Sequence, residues 1–264
     1  CHLGVAGVAL ASMISQFISA FLILRALLTG KEKYCLRLSE IRFDRRKAAG
    51  ILQIGIPSAF QYSLFAFANL FVQSSVNSFD HVLVEGNSAA ANADPLVYDM
   101  MAAFYTACSS FIAQNFGAQK KKRILQTYLI CLFYSFITSL VLGVGLYLAR
   151  YPFLYLFTSD KAVVEAGITR LSIMALSYSA SAFMDASIAA SRGLGKTAVP
   201  TFVVVMGSCV FRIIWIYTIF AYFHTIQSLY ILYVFSWGIT AIAENIYFFH
   251  VYRHTLTGKT ESHL

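Results

Sequence analysis

Long runs of apolar residues, separated by short polar segments, make up most of the chain. A run of about 18 or more mostly apolar residues is long enough to cross a bilayer as one helix. Such runs predict transmembrane helices near residues 3–28, 49–79, 87–116, 124–149, 171–191, 198–223 and 227–252. The pattern therefore predicts an all-α membrane protein with seven transmembrane helices.

The second and third runs exceed the ~20 residues that a bilayer requires, so we expect these helices to tilt or to extend beyond it. A more polar segment, 151–170, separates the fourth run from the fifth. It contains Thr158, Ser159 and Asp160, which are residue types that cap helices. They predict a short amphipathic helix lying at the membrane surface.

The composition supports the membrane interpretation. Apolar residues form 58% of the chain and charged residues only 12%, whereas a soluble domain carries roughly 25% charged residues. The net charge of +8 would suit nucleic-acid binding, but the basic residues cluster between the apolar runs, as in membrane proteins. We therefore expect a lipid bilayer as partner and no nucleic acid.

The basic residues also predict an orientation. Three of them, Arg150, Lys161 and Arg170, fall on one side of the membrane, and sixteen fall on the other. The sixteen lie in the segments 25–47, 120–123, 192–196 and 253–259. Basic loops stay in the cytoplasm. The distribution predicts a multi-pass plasma-membrane protein with its N-terminus outside and its C-terminus in the cytoplasm.

Other classes of protein fit less well. The chain begins with Cys1 and His2, without an initiator methionine or a signal peptide, so we expect a fragment of a longer protein. A seven-helix receptor would share the predicted topology, but no Asp-Arg-Tyr follows the third run and no Asn-Pro-x-x-Tyr lies in the seventh. The sequence has no nucleophile–base pair and no metal-ligand spacing, and its five cysteines form no CxxC motif. We expect a protein that is not an enzyme and has no cofactor.

Amide side chains lie along one face of the second predicted helix. They are Gln61, Asn69, Gln73 and Asn77. Their spacing by multiples of four keeps them on one slowly winding face. Such a row forms either the wall of a substrate cavity or a set of interhelical hydrogen bonds. Its length and its amides favour the cavity.

Ionisable residues inside the apolar runs are the candidate functional groups. They are Asp94 and Asp99 in the third run, Asp185 in the fifth, Arg212 in the sixth and Glu244 in the seventh. An acid that takes a proton or Na+ in a membrane cavity can couple ion flow to transport, although each acid here also suits a structural hydrogen bond. Arg212 matches Asp99 in depth, so we expect these two to share one environment.

Several motifs resemble those of MATE (multidrug and toxic compound extrusion) transporters, in the family's order. They are GVAGVALASMISQ at 4–16, GIP at 55–57, VNSF at 76–79, AAAN at 89–92, AQNFGA at 113–118, RGLGKT at 192–197 and FRIIW at 211–215. The resemblance implies that 1–30 form the last helix of a first lobe and that 31–47 form a basic cytoplasmic loop. It further implies a six-helix second lobe over 48–252 and a cytoplasmic tail over 253–264.

The resemblance also implies an activity. MATE transporters exchange Na+ or H+ for organic cations or drugs by alternating access, and the missing N-terminal lobe would be this chain's partner. Asp185, Asp94, Asp99 and Glu244 are then candidates for cation coupling, with no metal site beyond a Na+ site. Phe65 and Ser181 occupy positions where some members carry acids, so the coupling ion stays open between Na+ and H+. The alternative is a flippase of the same superfamily for lipid-linked saccharides.

Overall fold

The computed structural model describes residues 4–29, 36–37 and 41–257. The chain divides into two compact units, Cys1–Gly50 and Ile51–Leu264. Within the described residues, seven helical spans are long and apolar enough to cross a membrane. The structure thus confirms the all-α membrane fold. Residues 1–3, 30–35, 38–40 and 258–264, which include eight of the seventeen residues of the predicted 31–47 loop and most of the predicted 253–264 tail, lie outside the described part.

The helices follow the apolar runs closely. They are α1 (Gly4–Thr29), α2 (Arg45–Val76), α3 (His81–Ala91), α4 (Ala93–Gly117), α5 (Lys121–Leu148), α6 (Arg150–Leu154), α7 (Lys161–Gly193), α8 (Ala198–Val204), α9 (Phe211–Trp215), α10 (Ala221–Phe223) and α11 (Ile226–Thr257). Helix α2 begins earlier than predicted, because Asp44 accepts hydrogen bonds from the backbone N–H groups of Arg46 and Lys47. The end of the predicted 31–47 loop is therefore helical.

The third span is two helices rather than one. Helix α3 starts at His81, where the Asp80 side chain accepts a hydrogen bond from the backbone N–H of Leu83. The chain breaks at Asn92 and resumes as α4, with Asp94 in its first turn. Pro95 explains the break, because proline lacks an N–H and its ring clashes with the carbonyl four residues earlier.

The predicted surface helix at 151–170 is wrong. Asp160 does cap a helix, accepting a hydrogen bond from the backbone N–H of Ala162 at 2.8 Å, but that helix is the 33-residue α7. Val163, Val164 and Gly167 of its first turns are buried. Burial of this face makes 161–170 part of the fifth span, and the short helix in the region is α6 instead.

The sixth span contains two π-helical segments, Val205–Val210 and Ile216–Phe220, on either side of α9. Such segments insert an extra residue into a helical turn and are frequent at functional sites. At Gly207, a Cβ atom would lie 2.4 Å from Oγ1 of Thr240, so only glycine allows this approach to α11. Arg212 lies between the two π segments.

Helix α7 is the centre of the second unit and packs against α3, α4, α5 and α11. Small residues make the close contacts, as is usual between membrane helices. A Cβ on Gly143 of α5 would lie 2.0 Å from the backbone oxygen of Ala175, and one on Gly193 would lie 2.7 Å from that of Ser109. These contacts hold α7 in place, and several residues of α7 line the candidate site.

Candidate functional site

Two adjoining cavities lie inside the second unit. The Arg212 cavity, of about 270 Å³, is lined by polar and aromatic residues that include Asn69, Asp94, Arg170 and Arg212. The Asp185 cavity, of about 320 Å³, is lined by residues that include Gln61, Asp99, Asp185 and Arg192. Phe65, Tyr98 and Trp237 line both cavities. These three aromatic residues, the shared wall, are the boundary between the two compartments.

Arg212 is fully buried in its cavity, with 0% of its surface exposed. Its Nη1 donates to Oδ1 of Asn69 at 2.8 Å and its Nε donates to Oγ of Ser236 at 3.4 Å. The guanidinium carbon lies 4.6 Å from the ring centre of Phe65 and 4.5 Å from that of Tyr233. The cation is therefore held between two rings, and its hydrogen-bond acceptors are neutral.

A second arginine in the same cavity has an acidic partner. Nη2 of Arg170 donates to Oδ2 of Asp94 at 2.5 Å, and Nη1 donates to Oδ1 of Asn87 at 2.8 Å. The Tyr178 hydroxyl donates to the other carboxylate oxygen of Asp94. This network joins α3, α4 and α7. It neutralises the charge of Arg170 within the protein.

The Asp185 cavity contains more acid than base. Asp99 and Asp185 both line it, with Arg192 as the one arginine among its described lining residues. Nη2 of Arg192 donates to Oε1 of Gln61 at 3.0 Å. The lining thus brings together two carboxyl groups and one guanidinium, a set that suits a cation.

Glu244 is the least compensated acid of the described residues. It is 0% exposed, and both of its carboxylate oxygens are buried without a hydrogen-bond partner in the described part of the chain. Arg192 and Asp185 are the charged groups that act on it electrostatically. An isolated ionised carboxylate is costly to bury, so this position favours binding of a proton or another cation.

Comparison with known proteins identifies the family. The MatE family model matches residues 57–218, which is more than half of the chain. The chain belongs to the MATE family. A "probable multidrug resistance protein NorM" of Thermotoga maritima is 23% identical over 204 residues, covering 75% of this chain and 43% of the relative. An "FAD transporter" of Shewanella oneidensis is 25% identical over 134 residues, covering 51% of this chain and 29% of the relative.

Solved structures agree with the assignment. A MOP superfamily transporter from Pyrococcus furiosus superposes with a TM-score of 0.84 at 19% identity, covering 97% of this chain and 58% of that chain. This likeness shows a shared MATE fold. The MATE chain described here spans less than half the length of the curated relatives it matches. MATE proteins are transporters, which excludes the seven-helix receptor and agrees with the expectation of a non-enzyme.

Three of the four amides in the row of this MATE chain are divided between the two cavities, and Asn77 is in the lining of neither. Gln61 lines the Asp185 cavity, and Asn69 and Gln73 line the Arg212 cavity. Two of these amides are also interhelical acceptors, Gln61 for Arg192 and Asn69 for Arg212. Asn77 accepts a hydrogen bond from Gln73 at 2.9 Å within α2. Both sequence interpretations of the row therefore describe part of its geometry.

The structure does not bring Arg212 and Asp99 together. They line different cavities, and no ion pair joins them among the described residues. Matching depth was a weak guide, because it does not say which faces of two helices meet. The acid in the Arg212 cavity is Asp94, and its partner is Arg170.

Arg170 and Arg192 are the site residues that sequence analysis missed as cavity groups. Each lay at the edge of an apolar run and was counted among the basic residues of a loop. Arg170 is only 8% exposed. The cap at Asp160 was the available signal, because a helix that starts there carries Arg170 into the membrane.

Proposed function

We propose that the complete transporter is a cation-coupled antiporter that exports organic cations by alternating access. The observation that carries the proposal is the buried carboxylate of Glu244, which lacks a hydrogen-bond partner among the described residues. Asp185 lies in electrostatic range of it and lines a cavity. These two acids form one negative centre, with Asp99 on the wall of the same cavity.

Coupling follows from charge. An organic cation and the coupling ion, Na+ or H+, would both be stabilised by the same carboxylates. Binding of the ion neutralises the acids and removes the attraction for the drug. In this scheme Asp185 holds the exchanged cations, and Glu244 adds negative charge behind it. Asp94 has a smaller part, because Arg170 already neutralises it.

The shape and walls of the Asp185 cavity suit an organic cation. Its volume of about 320 Å³ falls within the range of roughly 300–1,000 Å³ typical of small-molecule sites. Tyr62, Phe65, Tyr98, Tyr105 and Trp237 line it. Aromatic rings attract cations through their faces. The cavity thus combines negative charge with apolar surface.

Charge also argues against the flippase alternative. A carrier of phosphate-linked saccharides would need several arginines or lysines available to the phosphates. Of the arginines that line the two cavities in the described part, Arg170 is paired with Asp94 and Arg192 lies beside Asp185 and Glu244. Of these three arginines, Arg212 alone has no acidic partner in the described part of the chain, so the flippase is not favoured.

Transport by the full-length protein in proteoliposomes tests the proposal. We expect Asp185→Asn and Glu244→Gln to abolish export of tetraphenylphosphonium driven by a Na+ or pH gradient. The amide side chains carry no charge and so can neither take up nor release a coupling ion. Glu85→Gln is the matched control, since Glu85 is exposed, pairs with His81 one turn away on the same helix and lines neither cavity. Each variant is first checked for folding by its size-exclusion profile.

The gradient that supports export identifies the coupling ion. Folded Asp185→Asn and Glu244→Gln proteins that export at the parental rate would refute the coupling role of this pair. We also propose a plasma-membrane location with the C-terminus in the cytoplasm, because the basic segments favour that side.

A further inference from the structure

Arg212 carries a buried charge that no acid among the described residues neutralises. Among the described residues, its hydrogen-bond partners are the amide of Asn69 and the hydroxyl of Ser236. Both are neutral acceptors. Its Nη2 is buried and has no hydrogen-bond partner in the part of the chain that the structure describes. A buried ion without a counter-charge is costly. A bound anion would supply that counter-charge and stabilise the buried guanidinium.

The same cavity shows how this chain neutralises an arginine when the role is structural. Arg170 also lines the Arg212 cavity, and it binds the Asp94 carboxylate and the Asn87 amide. Arg212 has an amide partner of the same kind but no carboxylate partner within residues 4–29, 36–37 and 41–257. At Arg212, an N–H group without a hydrogen-bond partner among the described residues coincides with a positive charge that none of their carboxylates neutralises. An oxyanion would accept the hydrogen bond and supply the negative charge.

The cavity beside Arg212 has a size and a lining that define the ligand further. Its volume is about 270 Å³, which lies just below the roughly 300 Å³ lower limit of ordinary drug pockets and so suits a small molecule. Tyr98, Tyr230, Tyr233 and Trp237 line it. Aromatic walls favour an aromatic body, which would lie against these rings while its anionic end reaches Arg212.

We propose that the Arg212 cavity binds a small organic anion, a carboxylate or a phosphate on an aromatic body, with Arg212 as the anion-binding residue. This inference goes beyond the proposed export of cations, because it assigns the second cavity a ligand of opposite charge. The Asp185 cavity, across the shared wall, keeps its preference for cations. The second unit would then have one cavity that binds cations and one that binds anions.

Equilibrium dialysis of the purified full-length protein in detergent tests the site without any transport step. The probes are benzoate, phenyl phosphate, benzylamine and benzamide, which share a ring and differ in charge. We expect benzoate or phenyl phosphate to bind at least about tenfold more tightly than benzamide, as one charge-assisted hydrogen bond implies. The tighter of the two anions identifies the ligand as a carboxylate or a phosphate.

Substitutions assign the binding to Arg212. Arg212→Gln should weaken binding of the preferred anion by about tenfold or more. Arg150→Gln is the matched control, because Arg150 also stacks on two rings, those of Tyr147 and Tyr151, but lies outside the cavity. It should leave the affinity unchanged.

A second variant keeps the test decisive if Arg212→Gln fails to fold. Asn69→Asp places a carboxylate at the position of an acceptor 2.8 Å from Arg212. It should raise the melting temperature by neutralising the buried charge, and it should abolish binding of the anion. Equal affinities for anion and benzamide, or undiminished anion binding by a folded Asn69→Asp protein, would overturn the site. Neither result depends on the export assay at Asp185, so the two proposals fail separately.

Discussion

The side chain of Arg192 on α7 donates a hydrogen bond to that of Gln61 on α2, across 3.0 Å. A second arginine, Arg212, makes the corresponding bond to Asn69, two turns further along α2. Both bonds are at cavity walls. Helix α2 is therefore joined to the rest of the second unit through polar side chains that also line the two compartments.

The bond between Gln61 and Arg192 should contribute measurably to stability. Gln61→Ala leaves a buried guanidinium N–H unpaired, which costs about 1–3 kcal/mol. Gln61→Glu should raise stability instead, because a carboxylate forms the stronger bond to arginine. Thermal unfolding in detergent measures both. Ser63→Ala is the control, since Ser63 is exposed and donates only to its own helix. Equal melting temperatures for Gln61→Ala and Ser63→Ala would contradict the expectation.

The ion pair between Asp94 and Arg170 should behave as a buried pair. Asp94→Ala leaves Arg170 unneutralised in its cavity and should destabilise the protein by about 3–5 kcal/mol. The double variant Asp94→Ala, Arg170→Met should recover part of this loss, because it removes both charges. Denaturant unfolding of Asp94→Ala, Arg170→Met and the double variant gives the coupling free energy between the two side chains. Strictly additive effects would show that the two side chains do not interact.

Two glycines of α5 should respond in opposite directions to the same substitution. Gly143→Ala would place a Cβ 2.0 Å from the backbone oxygen of Ala175, so α5 and α7 must separate and stability should fall by about 1–3 kcal/mol or more. Gly145→Ala meets no atom within 4 Å and should gain up to about 1 kcal/mol of helix propensity. Melting temperatures of the pair check this. A stable Gly143→Ala protein would mean that the two helices are not in such close contact.

Cysteine labelling in intact cells tests the predicted topology. The positive-inside rule places Lys121 in the cytoplasm and Asp80 and Lys161 outside. A membrane-impermeant maleimide should therefore label Asp80→Cys and Lys161→Cys and spare Lys121→Cys until the membrane is permeabilised. Labelling of Lys121→Cys in intact cells would reverse the orientation.

The sequence predicted the spans well because crossing a bilayer requires length and apolar character, and both can be read along one chain. It predicted the start of α7 poorly. Arg170 looked like the end of a loop, yet Asp94, 76 residues away, neutralises its charge, and Asn87, 83 residues away, accepts a hydrogen bond from it. Such partners meet only after the helices have packed. The position of a residue within its apolar run therefore indicates its depth in the membrane but not which side chains it contacts.

The candidate site shows the same limit. Asp185, Asp99 and Gln61 were selected as separate polar residues in apolar runs, and the structure places them in the lining of one cavity. Arg212 was instead matched to Asp99 by depth, although its side chain lies between Phe65 and Tyr233. Aromatic residues are so common in this chain, with 23 Phe and 16 Tyr, that no pattern marked these two.

The shared wall has a consequence for occupancy. Tyr98 lies edge-on to Trp237, with ring centres 6.2 Å apart, and packs in the same way against Tyr178. Because Phe65, Tyr98 and Trp237 line both compartments, a rotamer change of one of them that enlarges one compartment takes volume from the other. Two bulky ligands, one in each compartment, would then compete for space without contacting each other. Cargo size, and not charge alone, would decide whether both compartments fill at once.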